Sequence, residues 1–151
     1  MTFLLASLVF IADRITKMAV ASNMSYGQSI KILPGILHFT FVLNNGTAFS
    51  LFKGANAALA FFSVVVIALI IFYLLTHKGL AAANLSALGL ILGGALGNLY
   101  DRIRFGHVID FLDLRVWPVF NVADSAITIG LLVLGWGILK QNFQLCRKEL
   151  K

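Results

Sequence analysis

The acidic residues of this chain are few and unevenly placed. Only six Asp and Glu residues occur, and four of them lie close together in sequence, namely Asp101, Asp110, Asp113 and Asp124. Long uncharged runs precede and follow this stretch. A carboxylate beside a lipid bilayer is costly, and such residues are commonly kept for function. The clustering therefore indicates chemistry that acids carry out.

Two of these acids have surroundings that suit hydrolysis. Asp124 shares a helix face with Asn121, three residues before it, and Asp110 stands amid apolar residues. Two carboxyl groups held close together cannot both ionise, so one of them stays protonated. The ionised member can take a proton from water, while the neutral member donates a hydrogen bond to a scissile carbonyl. Amides nearby can stabilise the developing oxyanion or fix the carboxylates. No covalent intermediate is required.

A second polar group lies at the end of the preceding helix. Asn98, Asp101 and Arg102 follow one another at three- and four-residue offsets and share one helical face. The same face begins with three small residues, Gly89, Gly93 and Gly97. Missing side chains let another backbone approach closely, so we expect these glycines to pack against a helix. An amide, a carboxylate and a guanidinium are thus predicted at the membrane boundary.

The uncharged runs predict what surrounds these residues. Residues 54–76 and 79–100 contain no charge, and each run is long enough, at about 1.5 Å per residue, to cross roughly 30 Å of hydrocarbon. Charged residues make up 12% of the chain, against about 25% in soluble domains, and the mean hydropathy is +0.92. We predict an α-helical integral membrane protein with one membrane domain over residues 1–151 and four transmembrane helices over residues 3–22, 54–76, 79–101 and 120–140. A soluble helical core is the alternative.

The two longer segments between these helices are predicted to differ. Residues 23–53 mix turn formers with β-favouring runs such as residues 37–42, which predicts a small extracytoplasmic β-sheet between helices 1 and 2. Residues 102–119 are predicted to form an extracytoplasmic loop, and both segments are candidates to cover a substrate. Asp113, close to Arg115, is expected to be a solvated loop acid, although spacing alone would let it replace Asp110.

The distribution of basic residues orients the predicted helices. Four spans place both termini and the loop at Lys78 on one side, where basic residues are packed into short segments and the positive-inside bias acts most strongly. We therefore expect both termini in the cytoplasm and the acids near the extracytoplasmic face. Residues 19–21 resemble a signal-peptide cleavage site, but Asp13, Arg14 and Lys17 interrupt the apolar run before them, so we expect a retained first span.

The sequence argues against several other functions. The net charge of +6 forms no basic run, so we expect lipid headgroups rather than nucleic acid as the counter-charge. No Gly-x-Ser-x-Gly or His-Glu-x-x-His motif occurs, and the sequence predicts neither a metal nor a cofactor. His38, His77 and His107 are scattered and expected to be solvated or in loops. The lone Cys146 cannot form an intramolecular disulfide.

Three blocks of sequence occur in a specific order: GGALGNLYDR at residues 93–102, GHVIDF at 106–111 and FNVAD at 120–124. Residues 13–17 (DRITK) and 44–49 (NNGTAF) add two further matches. In these blocks the chain resembles the bacterial lipoprotein signal peptidases, or signal peptidase II, over nearly its whole length. The segment from Asp110 to Asp124 is shorter than the family pattern leads us to expect, which concerns the shape of the connecting loop.

The resemblance implies an aspartic endopeptidase of the bacterial inner membrane. It implies removal of the signal peptide from diacylglyceryl-modified prolipoproteins, just before the lipidated cysteine. By position in the family pattern, Asp110 and Asp124 are the catalytic pair. Other matching positions are expected to bind substrate or support the pair: Asp13, Lys17, Asn44, Gly46, Asn98, Asp101, Arg102, Asn121 and Ala123. We expect a monomer whose partners are prolipoprotein substrates and membrane lipid.

Simpler roles remain open for some of these residues. Asp13 and Lys17 lie four residues apart and can neutralise each other inside the first helix. Asp101, for which we expect a structural role, can pair with Arg102 or Arg104. Asn44 and Gly46 can be plain turn residues.

Other functions also remain open. A small proton-coupled membrane carrier or channel subunit could use intramembrane Asp residues to relay protons. Carriers usually show two matching halves, and the sequence shows no such symmetry. A non-catalytic membrane scaffold is a third possibility.

Overall fold

The computed structural model describes residues 1–46 and 56–149, and of residues 141–149 it describes the backbone alone. The elements in chain order are α1 (Thr2–Asn23), β1 (Ser29–Leu33), β2 (Leu37–Asn44), α2 (Asn56–Thr76), α3 (Ala82–Phe105), β3 (Val108–Asp113) and α4 (Val122–Glu149). The motif residues Thr47, Ala48 and Phe49 and the side chain of Cys146 lie outside the described residues.

Three of the helices are long and apolar enough to cross a membrane: α2, α3 and residues Val122–Lys140 of α4. α1 spans 22 residues but carries Asp13, Arg14 and Lys17. Length and composition therefore identify three spans, one fewer than the sequence analysis predicts. α2 exposes large apolar side chains and buries only Ile70 among its residues. An apolar helix with so little buried surface suits a position against lipid.

α3 lies at the centre, because α1, α2 and α4 all pack against it. Its glycines allow the close approach. A methyl group at Gly93 would lie 2.5 Å from the backbone oxygen of Ala6 in α1, and one at Gly89 would lie 2.8 Å from that of Thr2. Gly94 meets the backbone of Ala123 in α4. The predicted packing role of Gly89 and Gly93 is thus confirmed.

The three strands form one antiparallel sheet in the order β1, β2, β3. β1 and β2 come from the segment predicted to be extended. β3 comes from residues predicted to be loop, so that prediction was wrong. Five of the six residues of β3 pair with β2, with Ile109 opposite Leu43 and Val108 opposite Asn44. A strand this short is specified by its partner rather than by its own sequence.

The sheet rests on the end of α1. One buried cluster joins the two, and its members are Val20, Met24, Phe41, Ile109 and Phe111. The chain then returns from β3 to α4 through a loop closed by a β-bridge, in which Leu112 N–H donates to Phe120 O (2.7 Å) and Phe120 N–H donates to Leu112 O (3.0 Å). This loop lies within the short segment between Asp110 and Asp124 and brings the start of α4 beside β3.

Candidate active site

Asp110 is held on β3 by two asparagine side chains. It is 2% exposed. Its Oδ1 accepts a hydrogen bond from Asn121 Nδ2 (2.6 Å), and its Oδ2 accepts one from Asn44 Nδ2 (2.8 Å). Asn44 Oδ1 in turn accepts from the Gly46 N–H (3.0 Å). A backbone N–H can only donate, so it fixes the Asn44 carbonyl toward itself and the amide hydrogens toward Asp110. Asn44, the last residue of β2, therefore contacts Asp110 directly, and Gly46 fixes the orientation of its carboxamide.

Asp124 lies in the first turn of α4, and Asn121 immediately precedes that helix. Asn121 Oδ1 accepts a hydrogen bond from the Asp124 N–H (2.9 Å), and Asp124 Oδ2 accepts one from the Asn121 N–H (3.2 Å). This reciprocal pair is a capping box in which Asn and Asp replace the usual Ser or Thr and Glu. A carboxylate at a helix N-terminus is also favoured by the helix dipole. Asp124 is thus held in the first turn of α4 by its hydrogen bonds with Asn121.

Asn121 connects the two acids. Its side chain donates to Asp110, and its backbone N–H donates to Asp124. The side chain is fully buried and also donates to Ile109 O (3.3 Å). The two carboxyl groups that the sequence paired therefore accept hydrogen bonds from the same residue.

Asn98 of α3 completes the set of donors around the acids. Its Nδ2 donates to Asp124 Oδ1 (2.7 Å), while its Oδ1 accepts from Lys17 Nζ (3.0 Å) and Asn121 Nδ2 (3.1 Å). Each of the four carboxylate oxygens of Asp110 and Asp124 thus accepts an N–H hydrogen bond. Such donors stabilise the ionised forms and hold both carboxylates in fixed orientations.

An ionic cluster, formed by Asp13, Arg14, Lys17 and Asp101, contacts Asn98 through Lys17. Lys17 is completely buried, and its Nζ lies 2.8 Å from Asp13 Oδ2 and 2.8 Å from Asp101 Oδ2. Arg14 pairs with the other oxygen of Asp101. Asp13 and Lys17 neutralise each other, which confirms the role that their four-residue spacing in the first helix left open. The prediction that Asp101 pairs with Arg102 or Arg104 was wrong, because Asp101 faces the basic residues of α1.

The same cluster connects α1 to the two segments that carry the acids. Asp13 Oδ1 accepts a hydrogen bond from the Ala123 N–H (3.0 Å), one residue before Asp124. Asp101 Oδ2 accepts one from the Ile109 N–H (3.3 Å), one residue before Asp110. Two buried carboxylates thus hold the backbone next to each acid.

The surroundings of Asp110 change its acidity. Burial, and after it the negative charge of Asp124, raise the pKa of Asp110 to about 7, against the opposing effects of the Asn44 and Asn121 hydrogen bonds and the charge of Lys17. A carboxyl group with a pKa near neutrality exchanges its proton readily at physiological pH. Asp110 can therefore act as an acid or as a base.

Asp113 stands apart from this pair, at the far end of β3. It accepts hydrogen bonds from Thr40 Oγ1 (2.8 Å) and Arg115 NH1 (3.0 Å) and is buried. The expectation of a solvated loop acid was wrong, since the missed strand β3 buries it. Burial alone would raise the pKa of Asp113, but the hydrogen bonds from Thr40 and Arg115 outweigh it and leave the pKa below its ordinary value. His38, opposite Asp113 on β2, is likewise buried rather than solvated.

A cavity of about 340 Å³ between α2, α3 and α4 is lined in part by Asp124. Apolar residues such as Leu59, Val66 and Ile91 line it, and its polar lining includes Asn98, Arg102 and Asp124. An apolar cavity with a few convergent polar groups is typical of a substrate site. Within the described ranges, no three side chains of His, Cys, Asp or Glu form a group that could hold a metal ion.

One residue of the site was missed from the sequence. Arg14 pairs with Asp101, and its guanidinium also stacks 4.5 Å above the ring of Tyr100. The available signal was that a third charge stands beside Asp13 and Lys17 in an apolar helix, where an unpaired charge is costly. The other site residues predicted from sequence come together here, except that Arg102 lines the cavity without touching the ionic cluster.

Comparison with known proteins identifies the family of this chain. The sequence model of a family described as signal peptidase (SPase) II matches residues 5–140. The lipoprotein signal peptidase of Halothermothrix orenii is 42% identical, over 89% of this chain and 92% of the relative. That of Pelotomaculum thermopropionicum is 38% identical, over 99% and 98%. A bacterial membrane enzyme solved by the in meso method superposes with a TM-score of 0.88 at 30% identity, over 93% of this chain and 88% of that one.

Proposed function

Since the chain belongs to the signal peptidase II family and is a peptidase that removes signal peptides from prolipoproteins, we propose that Asp110 and Asp124 are its catalytic pair. One observation carries the proposal. A single buried residue, Asn121, donates hydrogen bonds to both acids. The negative charge of Asp124 also raises the pKa of Asp110, and two carboxyl groups that interact in this way compete for one proton and titrate as a unit.

The two acids take different roles in the proposed reaction. Asp124, held by Asn98 and by the N-terminus of α4, is the ionised member and takes a proton from the attacking water. Asp110 is the protonated member and gives its proton to the carbonyl oxygen as the water oxygen bonds to the carbonyl carbon. When the tetrahedral intermediate collapses, the C–N bond breaks, Asp124 passes its proton to the leaving amine, and Asp110 recovers one from the former water or carbonyl oxygen.

The supporting residues divide into two groups. Asn44, Asn98 and Asn121 contact the acids directly and hold their orientation. The others act through backbone positions or packing. Ala123, for example, is fully buried against α3, and its Cβ would lie 3.4 Å from a methyl group at Gly97. We infer that only a small side chain fits at that position.

The substrate is proposed to enter through the cavity between α2, α3 and α4. Its apolar lining suits a signal helix and acyl chains, and Arg102 is the cationic group that faces a bound peptide there. On this basis the substrate is a diacylglyceryl-modified prolipoprotein, cut just before the lipidated cysteine.

The membrane arrangement is proposed to include α1 as a fourth span of a single membrane domain. The three charges of α1 count against insertion by composition, but Asp13 and Lys17 are fully buried and Arg14 is paired with Asp101. Buried, paired charges at the bundle interior are compatible with a spanning helix. Both termini then lie in the cytoplasm of a bacterial inner membrane, with the acids near the extracytoplasmic face of a monomer.

Cleavage of a diacylglyceryl-modified prolipoprotein by purified protein tests the catalytic pair. Asp110→Asn and Asp124→Asn are each expected to lower kcat by about 10²- to 10⁴-fold, the contribution of a general acid or base. Asp113→Asn is the matched control, because Asp113 lies on the same strand as Asp110 but contacts Thr40 and Arg115. It is expected to keep kcat within about twofold. Near-normal cleavage by either member of the pair, or an equal loss in the control, would contradict the assignment.

A further inference from the structure

Lys17 makes its polar contacts inside the protein. An ammonium group has three donors and no acceptor. Its three partners are Asp13 Oδ2 (2.8 Å), Asp101 Oδ2 (2.8 Å) and Asn98 Oδ1 (3.0 Å). The side chain is 0% exposed, so it has no surface with which to touch a substrate in the cavity. Whatever Lys17 contributes to hydrolysis must pass through its three partners.

The contact with Asn98 determines which way that carboxamide points. Because Lys17 can only donate, the Asn98 atom that faces it must be the oxygen, and the NH₂ group must then face Asp124 Oδ1 (2.7 Å). Turning the carboxamide over would place its NH₂ group against the ammonium and against Asn121 Nδ2. It would also place the carbonyl oxygen against the Asp124 carboxylate. All three contacts would become repulsive.

Lys17 balances the charge of Asp13, and Arg14 pairs with Asp101. Charge balance alone therefore does not require the further contact between Lys17 and Asn98. We propose that Lys17 is a positioning residue, which holds the Asn98 carboxamide so that an N–H always faces Asp124. This inference rests on the proposed catalytic pair and adds to it a residue that touches neither acid of that pair.

The charge of Lys17 has a second, separable effect. The charged groups around the pair are Asp13 and Lys17 from α1, Asp101 and Arg102 from α3, and the two acids themselves, from β3 and α4. The positive charge of Lys17 opposes the rise in the pKa of Asp110. Removing a nearby cation disfavours the ionised forms, so both limbs of the pH–rate profile should move to higher pH.

The test starts from an Asp13→Asn background. There, removal of Lys17 leaves Arg14 and Asp101 as a balanced pair, and the new amide oxygen can still accept from the Ala123 N–H. In that background, Lys17→Met removes the donor and the charge, whereas Lys17→Gln removes the charge but keeps an N–H for Asn98. The readouts are kcat, KM and the pH–rate profile on a diacylglyceryl-modified prolipoprotein, with thermal unfolding as the check on folding.

The expected results separate orientation from charge. Lys17→Met should lower kcat at least about tenfold, the lower end of the effect of removing an orienting partner in metal sites, with KM within about twofold of the background. Lys17→Gln should restore kcat to within about threefold of the background. Both should shift the profile to higher pH.

Three results would overturn the inference. A kcat for Lys17→Met equal to that of the background means that Lys17 only neutralises acids. Equal losses in the Met and Gln variants mean that it does not act by orienting Asn98. If the Met variant does not fold, a loss of kcat greater than about threefold in Lys17→Gln has the same force, because an N–H donor at that position would then fail to orient Asn98. Asp110→Asn in the same assay keeps the questions apart, because activity in that variant contradicts the catalytic pair whatever Lys17 does.

Discussion

Replacing Gly94 by alanine tests whether the spacing of α3 and α4 sets the geometry of the acids. A methyl group at Gly94 would lie 3.2 Å from the carbonyl carbon of Ala123, closer still to its oxygen, and 2.8 Å from Ile127 Cγ1. Ordinary contact begins near 3.4 Å. Ile127 can rotate away, but the backbone of Ala123 cannot. The start of α4 must therefore move by roughly 1 Å, and Asp124 follows Ala123 directly in that turn.

A displacement of this size has a predictable effect on the rate. Misplacing a reacting group by about 1 Å can cost about 10²-fold, so Gly94→Ala is expected to lower kcat by about that factor. The melting temperature should fall as well, because overpacking costs about 1–3 kcal/mol. The assay is cleavage of a diacylglyceryl-modified prolipoprotein by purified protein, with thermal unfolding in the same detergent.

Gly135 of α4 provides the matched control. A methyl group there would have no atom within 4 Å, and alanine favours a helix over glycine by up to about 1 kcal/mol in water. Gly135→Ala should therefore leave both kcat and the melting temperature at or above their original values. A Gly94→Ala protein with unchanged kcat would refute the reasoning, since the contact between α3 and α4 would then not control the position of Asp124.

Three further predictions follow from single contacts. Asn121→Ala should lower kcat by about 10²-fold, because Asn121 holds both acids and misplacing a reacting group by about 1 Å can cost that factor. The same change should destabilise α4 by about 1 kcal/mol through its lost cap. Kinetics and thermal unfolding measure the two effects, and a kcat within about threefold of the original would contradict the first. Because the pKa of Asp110 is raised to about 7, kcat/KM should fall as pH rises above that value and Asp110 loses its proton, whereas a flat profile from about pH 6 to about pH 9 would argue against the role of Asp110 as the acid. The pKa of Asp113 is lowered in the folded protein, so its ionised form stabilises the fold above the unfolded-state pKa of about 3.9, and this stabilisation is lost as pH falls through the folded value. Asp113→Asn should therefore lower the melting temperature at neutral pH and make little difference in strong acid. An equal difference at both pH values would exclude this cause.

The parts of the site that the sequence could predict depend on local spacing. Asn121 and Asp124 lie three residues apart, and that spacing alone places them on one face of the first turn of a helix. Asp110 could be singled out because its neighbours are apolar and because its block of sequence resembles a known family. Its role, and those of the supporting residues, remain predictions until the variants above are measured.

The parts that could not be predicted depend on contacts between distant segments. Residues 108–113 form a strand only because β2 lies beside them, and six apolar-rich residues do not by themselves specify a strand. The same missed strand explains why Asp113 was expected in solvent. Arg14 and Asp101 belong to different helices, and helical spacing rules relate residues of the same helix only. The spacing rules therefore favoured Arg102 or Arg104, from the same helix, as partners of Asp101.

The central claim is that Asp110 and Asp124 act as one acid–base unit, and cleavage rates of the two single Asn variants and of the double variant test it most directly. Residues that act as a unit have strongly non-additive effects. We predict that Asp110→Asn, Asp124→Asn and the double variant all retain the same small residual rate within about threefold. A double variant slower than either single variant by the product of their separate losses would show that the two acids act independently.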